Sequence, residues 1–254
     1  MPHDHSIHEL QPGLTPFPDD VFARNQPWLA DYILPLISID LGLLKSSLAG
    51  TVVHMVCPIE PYDSNIGERT KFFHNEFTSS NWLAFELTLE NRLRFLGNEA
   101  YFQNAPQHDG SFDSKGFQAH AIEMKESYFK AREYFKKNAR LASYSRYGNG
   151  QAKECNYLDR LGGKLRYGNW TGHPPLPPAF LLEDLAGSQM KRGFVIRNNS
   201  DHLPDDGIRI SHKGKPFLPV AEVAAYNWCA TGADAILMFY EPESRTVLFT
   251  FDWS

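Results

Sequence analysis

The sequence predicts an α+β fold: a mainly antiparallel sheet packed against a long amphipathic helix, with additional short helices, in one domain spanning residues 1–254. Three stretches carry that prediction. In residues 215–254 the apolar residues leave helical spacing and gather into two β-branched and aromatic runs, Ala235–Tyr240 and Thr246–Trp253. They are joined by Glu241-Pro242-Glu243-Ser244, whose proline presets φ for a tight reversal, so a C-terminal hairpin is expected. In residues 82–96, Leu83, Phe85, Leu87 and Leu89 alternate with Ala84, Glu86, Thr88 and Glu90, and Leu93 and Phe95 resume the alternation. This reads as a hairpin with one wet face, the pattern of antiparallel rather than parallel sheets. From residue 116 to 144 the period becomes 3.6, with Phe117, His120, Ala121, Met124, Tyr128, Ala131, Phe135 and Ala139 forming one apolar stripe.

The remaining elements follow in order. Residues 1–20, rich in Pro, His and Asp, read as an irregular arm. Pro27 to Leu48 is apolar and reads as a helix broken near Pro35, with Asn25 or Asp20 as cap and Gly50 as stop. Residues 51–57 (TVVHMVC) are β-branched and end at Pro58, which fits a strand. Residues 98–114 form a polar loop, 145–151 a Gly-punctuated break, and 152–161 a short helix ended by Gly162-Gly163. The prolines of 167–178 make a rigid connector, 178–185 reads as a turn or two of helix, 194–197 as a brief strand, and 198–207 as an acidic loop.

With 42% hydrophobic and 22% charged residues the composition is that of a globular protein, and no run approaches 18 apolar residues, so no membrane partner is expected. The N-terminal residues lack the basic start and apolar run of a secretion signal, which predicts a cytoplasmic protein. Cys57, Cys155 and Cys229 are odd in number and lack CxxC spacing, so neither a disulfide framework nor a zinc site is expected. The net charge of −5 conceals a split. Residues 1–114 carry 6 Lys/Arg against 15 Asp/Glu, residues 115–166 carry 12 against 5, and residues 167–254 carry 7 against 10. Such asymmetry steers association with a charged partner.

The chain holds no GxSxG, GxxxxGK[ST], strand-coupled GxGxxG, HExxH or DxDxDG motif, so no catalytic residue, cofactor or metal is assigned. His3, His5 and His8 form a terminal cluster without a specified carboxylate or Cys partner, the composition of a solvated tail. His54, His74, His173 and His202 stand near carboxylates or in structured stretches, and a hydrolase or metal-dependent enzyme assembled from dispersed His and Asp/Glu is one alternative. Asp252, flanked by aromatics, is a candidate for a raised pKa. A second alternative is nucleic-acid binding through the basic helix 116–144, whose Lys and Arg interleave with Tyr128, Tyr134, Tyr144 and Tyr147. Against it, Glu126 and Glu133 are spaced to pair with Lys130 and Lys137, and the helix face can pair with the acidic N-terminal third.

The acidic excess gives the leading reading. Asp19, Asp20, Glu60, Asp63, Glu68 and Glu76 fall in loop-like segments beside Trp28, Tyr62 and Phe72, a combination suited to a basic partner protein. Two further segments, Gly172-His-Pro-Pro-Leu-Pro and Gly214-Lys-Pro-Phe-Leu-Pro-Val-Ala-Glu-Val, together with Ala235-Ile-Leu-Met-Phe-Tyr, resemble the order of elements in YwqG-like bacterial proteins of unknown function. The resemblance covers about a third of the chain. It implies no catalytic residues, and motif-poor bacterial proteins of this sort can act as immunity proteins that neutralise toxins. The expectation is a cytoplasmic protein-binding inhibitor of a cognate toxin, such as a nuclease, or of another basic protein.

Overall fold

The computed structural model describes residues 6–59, 64–108, 114–165, 168–171, 175–184, 190–191, 194–195 and 208–253. In chain order the regular elements are β1 (Leu14–Pro16), α1 (Leu29–Tyr32), β2 (Ile33–Asp40), β3 (Val52–Pro58), β4 (Trp82–Leu87), β5 (Leu93–Phe95) and α2 (Ser114–Asn138). These are followed by β6 (Ala142–Ser143), β7 (Lys153–Glu154), β8 (Arg160–Leu161), β9 (Phe180–Asp184), β10 (Met190–Lys191) and β11 (Phe194–Val195). The chain ends with β12 (Ile208–His212), β13 (Lys215–Pro216), β14 (Leu218–Val223), β15 (Ala235–Glu241) and β16 (Thr246–Asp252).

A six-stranded antiparallel sheet, ordered β5-β4-β16-β15-β14-β8, is the centre of the fold. The C-terminal hairpin forms as its sequence predicts, and β16 inserts between β15 and β4 with Phe249 opposite both Met238 and Leu83. The turn is locked by the buried carboxylate of Glu241, which accepts the backbone N–H groups of Glu243 at 2.8 Å and Ser244 at 2.7 Å. Strand alternation then sorts the side chains into two layers. Leu83, Phe85, Val247, Phe249, Ile236 and Met238 face the main core, shared with β2, β3 and the stripe of α2. Trp82, Ala84, Leu248, Leu237 and Phe239 face a second apolar layer that includes Phe180, Ile210 and Phe217. The hairpin at 82–96 therefore forms, but its expected wet face is covered by the β9–β12–β13 sheet, and only Glu86, paired with Arg94, and the tip beyond it reach solvent.

The apolar stretch 27–48 departs from the expected helix. It makes one turn, α1, and then continues as β2 between β1 and β3. The alternating, β-branched Ile37 and Ile39 suit the sheet, and Pro35 is tolerated because the β2–β3 register shifts between Pro35 and Ile37. Pairing with β1 draws Leu14–Pro16 of the N-terminal segment into this sheet. The expected helix at 152–161 is replaced by β7 and β8, since Tyr157 and Leu158 pair through backbone with Ile7, and Arg160 is buried against Glu222 at 2.7 Å. Within the stretch 178–185, Phe180–Asp184 is likewise extended, as β9, because each of these residues pairs with β12. The expected strand at 194–197 is met at Phe194–Val195, whereas the loop 198–207 lies outside the described residues.

Helix α2 is the predicted one, shortened at its end: Ala139 adopts φ 53° and turns the chain into β6. Phe117, Met124, Tyr128 and Ala131 are buried as the stripe requires. The Tyr128 hydroxyl donates to the Pro35 carbonyl at 2.6 Å, and Phe17 packs edge-on against Tyr128 and Trp228. No described helix is long and apolar enough to cross a membrane.

Candidate functional site

Residues 64–79 form a loop clamped from beneath by Tyr101. The fully buried Tyr101 hydroxyl lies among three carbonyls and donates to the nearest, Ser79 O at 2.9 Å; the Thr70 hydroxyl donates to Tyr101 O at 2.6 Å. Gly67 sits at φ +72° directly over the ring, where a Cβ would come within 2.5 Å of Tyr101. Above this base, His74 donates from Nε2 to Gly67 O at 2.8 Å, Asn75 Nδ2 donates to Leu96 O at 2.7 Å, and Ala179 N donates to Glu76 O at 2.8 Å. The loop's one-turn helix, Lys71–Phe73, holds Phe72 outward with 99% of its surface exposed. A large aromatic wholly in water on a well-bonded loop has no folding role and is the anchor type that dominates protein interfaces.

The predicted site residues divide around this loop. Glu68 and Glu76 belong to it: Glu68 is half-buried and accepts Asn65 N at 3.0 Å, and Glu76 is exposed. Arg69 and Lys71 both lie between them, so the loop is charge-mixed rather than acidic. Trp28 is half-buried and packs edge-on against Tyr32, Phe95 and Phe102, with Phe102 in turn against Tyr101. It is a support for the loop's base. Asp19 and Asp20, 82% and 84% exposed, border a different feature, a cleft of about 470 Å³ floored by Ile33, Leu34 and Ala30. Asp19 pairs with Arg132 of α2 at 2.8 Å and Asp20 with Arg92 at 3.3 Å. The pairing of the helix face with the acidic N-terminal third is thus realised at Asp19. Glu60, Tyr62 and Asp63 lie outside the described residues.

The alternative site groups are engaged in the fold. His54 is buried; its Nε2 donates to Asn91 O at 2.6 Å, so Nδ1 accepts from Ser38 Oγ at 2.8 Å. Burial, opposed by the Asn91 hydrogen bond, holds its pKa below the usual histidine value. Burial likewise depresses His74 and His120, opposed by their hydrogen bonds to Gly67 O and Ile59 O. His173 and His202 lie outside the described residues. Among the described residues no group of three or more His, Cys, Asp or Glu is placed to hold a metal ion. Burial pushes the Cys155 thiol up to about 12, which leaves no thiolate near neutral pH. Burial likewise raises Asp252, although the N–H groups of Trp170 and Trp253 oppose it. Of the α2 carboxylates, Glu133 pairs with Lys136 and Glu123 with Arg146 beyond the helix end, in place of the expected i, i+4 pairs.

No family model, curated protein or solved structure matches the chain. The reading of the site therefore stands on the geometry above.

Proposed function

We propose that this chain is a cytoplasmic protein-binding inhibitor, of the immunity type that docks on and neutralises a toxin enzyme, and that Phe72 is its anchor. The observation that carries the reading is a fully exposed phenylalanine on a loop that Tyr101, Gly67 and Asn75 hold rigid. Such a group loses little conformational freedom when it enters a partner's pocket, so the apolar area it buries converts efficiently into affinity. The acidic excess of residues 1–114 favours a basic partner and speeds the encounter, and the loop itself offers Glu68 and Glu76 together with Arg69 and Lys71.

The test is co-purification with the product of the adjacent gene, followed by calorimetry at low and high salt. Phe72→Ala is expected to weaken the complex by at least about 2 kcal/mol. Its thermal midpoint should match that of the parent protein, because the side chain touches nothing it could destabilise. Glu68→Lys with Glu76→Lys is expected to slow association and flatten the salt dependence. A partner bound equally well by the Phe72→Ala protein would overturn the assignment.

A further inference from the structure

A separate recess of about 520 Å³ is built just past the end of α2, from residues that take no part in the Phe72 loop. Its size is that of a small-molecule site. Three features of its lining point to one kind of ligand. The first is positive charge. Lys153 is exposed on β7 and forms no ion pair among the described residues, while Arg140 reaches Glu154 only at 4.0 Å. Among the described residues Glu154 is the one carboxylate in the lining, and it already accepts the Tyr134 hydroxyl at 3.1 Å.

The second feature is an aromatic platform. Tyr147, 74% exposed, stands edge-on to Tyr226 with ring centroids 5.9 Å apart. Its turn is fixed, since Ser145 Oγ accepts Tyr147 N at 3.2 Å and Arg146 N donates to Ala230 O at 2.8 Å. One face of a held ring is thereby left to solvent. The third is a polar floor: the side-chain amide of Asn227, a residue only 8% exposed, makes only 3.4 Å and 3.5 Å contacts to Asn156, which leaves it able to exchange them for a better partner. Gln151 stands exposed at the rim.

We propose that this recess binds a nucleoside monophosphate, with the base stacked on Tyr147, the phosphate between Lys153 and Arg140, and the sugar hydroxyls toward Asn227 and Gln151. Inorganic phosphate alone would leave the ring and the amides unused, and an uncharged nucleoside would leave Lys153 unanswered. Burial pushes the Cys155 thiol in the wall up to about 12, so it brings no thiolate to the recess near neutral pH.

The experiment is titration of the full chain, followed by calorimetry and by amide chemical shifts, with the four nucleoside 5′-monophosphates, adenosine, ribose 5-phosphate and inorganic phosphate. At least one nucleotide should bind tighter than any of the other three probes. Lys153→Met should weaken nucleotide binding about tenfold and leave adenosine unchanged, because only the phosphate contact is removed. Tyr147→Ala should weaken nucleotide and adenosine alike by about tenfold and leave ribose 5-phosphate unchanged. Both side chains are exposed, so the variants should melt with the parent protein, and Phe72→Ala should bind nucleotide normally. Absence of nucleotide binding at millimolar concentration, binding confined to inorganic phosphate or ribose 5-phosphate, or nucleotide binding indifferent to both substitutions overturns the proposal.

Discussion

Gly67 and Tyr101 show how one residue fixes a surface feature. The sequence places them 34 positions apart with nothing to connect them, yet only a residue without Cβ can stand at φ +72° above that ring. Gly67→Ala is expected to cost about 1–3 kcal/mol, the combined penalty of a left-handed backbone and a displaced aromatic. Because Phe72 is carried on the same loop, the variant should also lose affinity for a partner, unlike a substitution elsewhere that merely lowers stability. Thermal unfolding and binding measured side by side check both effects, and an unchanged melting midpoint would show that the ring does not clamp the loop. The exposure of Phe72 was not legible in the sequence for the same reason: it depends on Tyr101, Leu96 and Ala179, which reach the loop from other parts of the chain. For Asp19 the pairing of the acidic N-terminal third with the helix face was legible as charge, but not its particular partner Arg132, 113 positions away.

Among the elements, those whose periodicity is enforced by one continuous buried surface were readable. The stripe of α2 and the alternation of β15 and β16 each specify a face that has to be covered, and neither depends on a particular distant partner. Residues 152–161 failed this criterion because their extended form comes from backbone pairing to Ile7 and to Ala221 and Glu222 of β14 and from the Arg160–Glu222 contact. The run 27–48 misled because a continuous apolar stretch suits a buried strand as well as a helix. The end of α2 was also hidden, since Ala139 belongs to the apolar pattern but occupies the position where helices usually place glycine. An alanine at φ 53° bears a steric cost that glycine does not, so Ala139→Gly should stabilise the protein by about 0.5–1 kcal/mol. Chemical denaturation checks this, and the sign decides: a loss of stability would mean that the alanine methyl's packing outweighs the strain it imposes.

Across the whole molecule, two apolar layers close over both faces of the central sheet, and the buried histidines are sealed within or beside them as neutral groups. His54, His120 and His212 are all buried, and the rings of the first two are held by carbonyls from distant segments, Asn91 O and Ile59 O. Burial lowers the pKa of all three in the folded state, and of the half-buried His74. The unfolded chain, with ordinary histidines near 6.5, binds protons that the folded chain refuses. Stability is therefore full above about pH 6.5 and declines as pH falls below it, with a slope set by the difference in bound protons. Asp252 acts in the opposite sense, since its raised pKa makes the folded form take up a proton before the unfolded one does. Between pH 7.5 and 5.5 the histidines dominate, and the thermal midpoint should fall by several degrees. His120→Gln can still donate from its side-chain amide to the Ile59 carbonyl without titrating, so it should flatten that decline even if it lowers stability at pH 7.5. A midpoint independent of pH in the parent protein, or a slope unchanged in His120→Gln, would show that these rings are protonated in the fold and that the layers above them admit water.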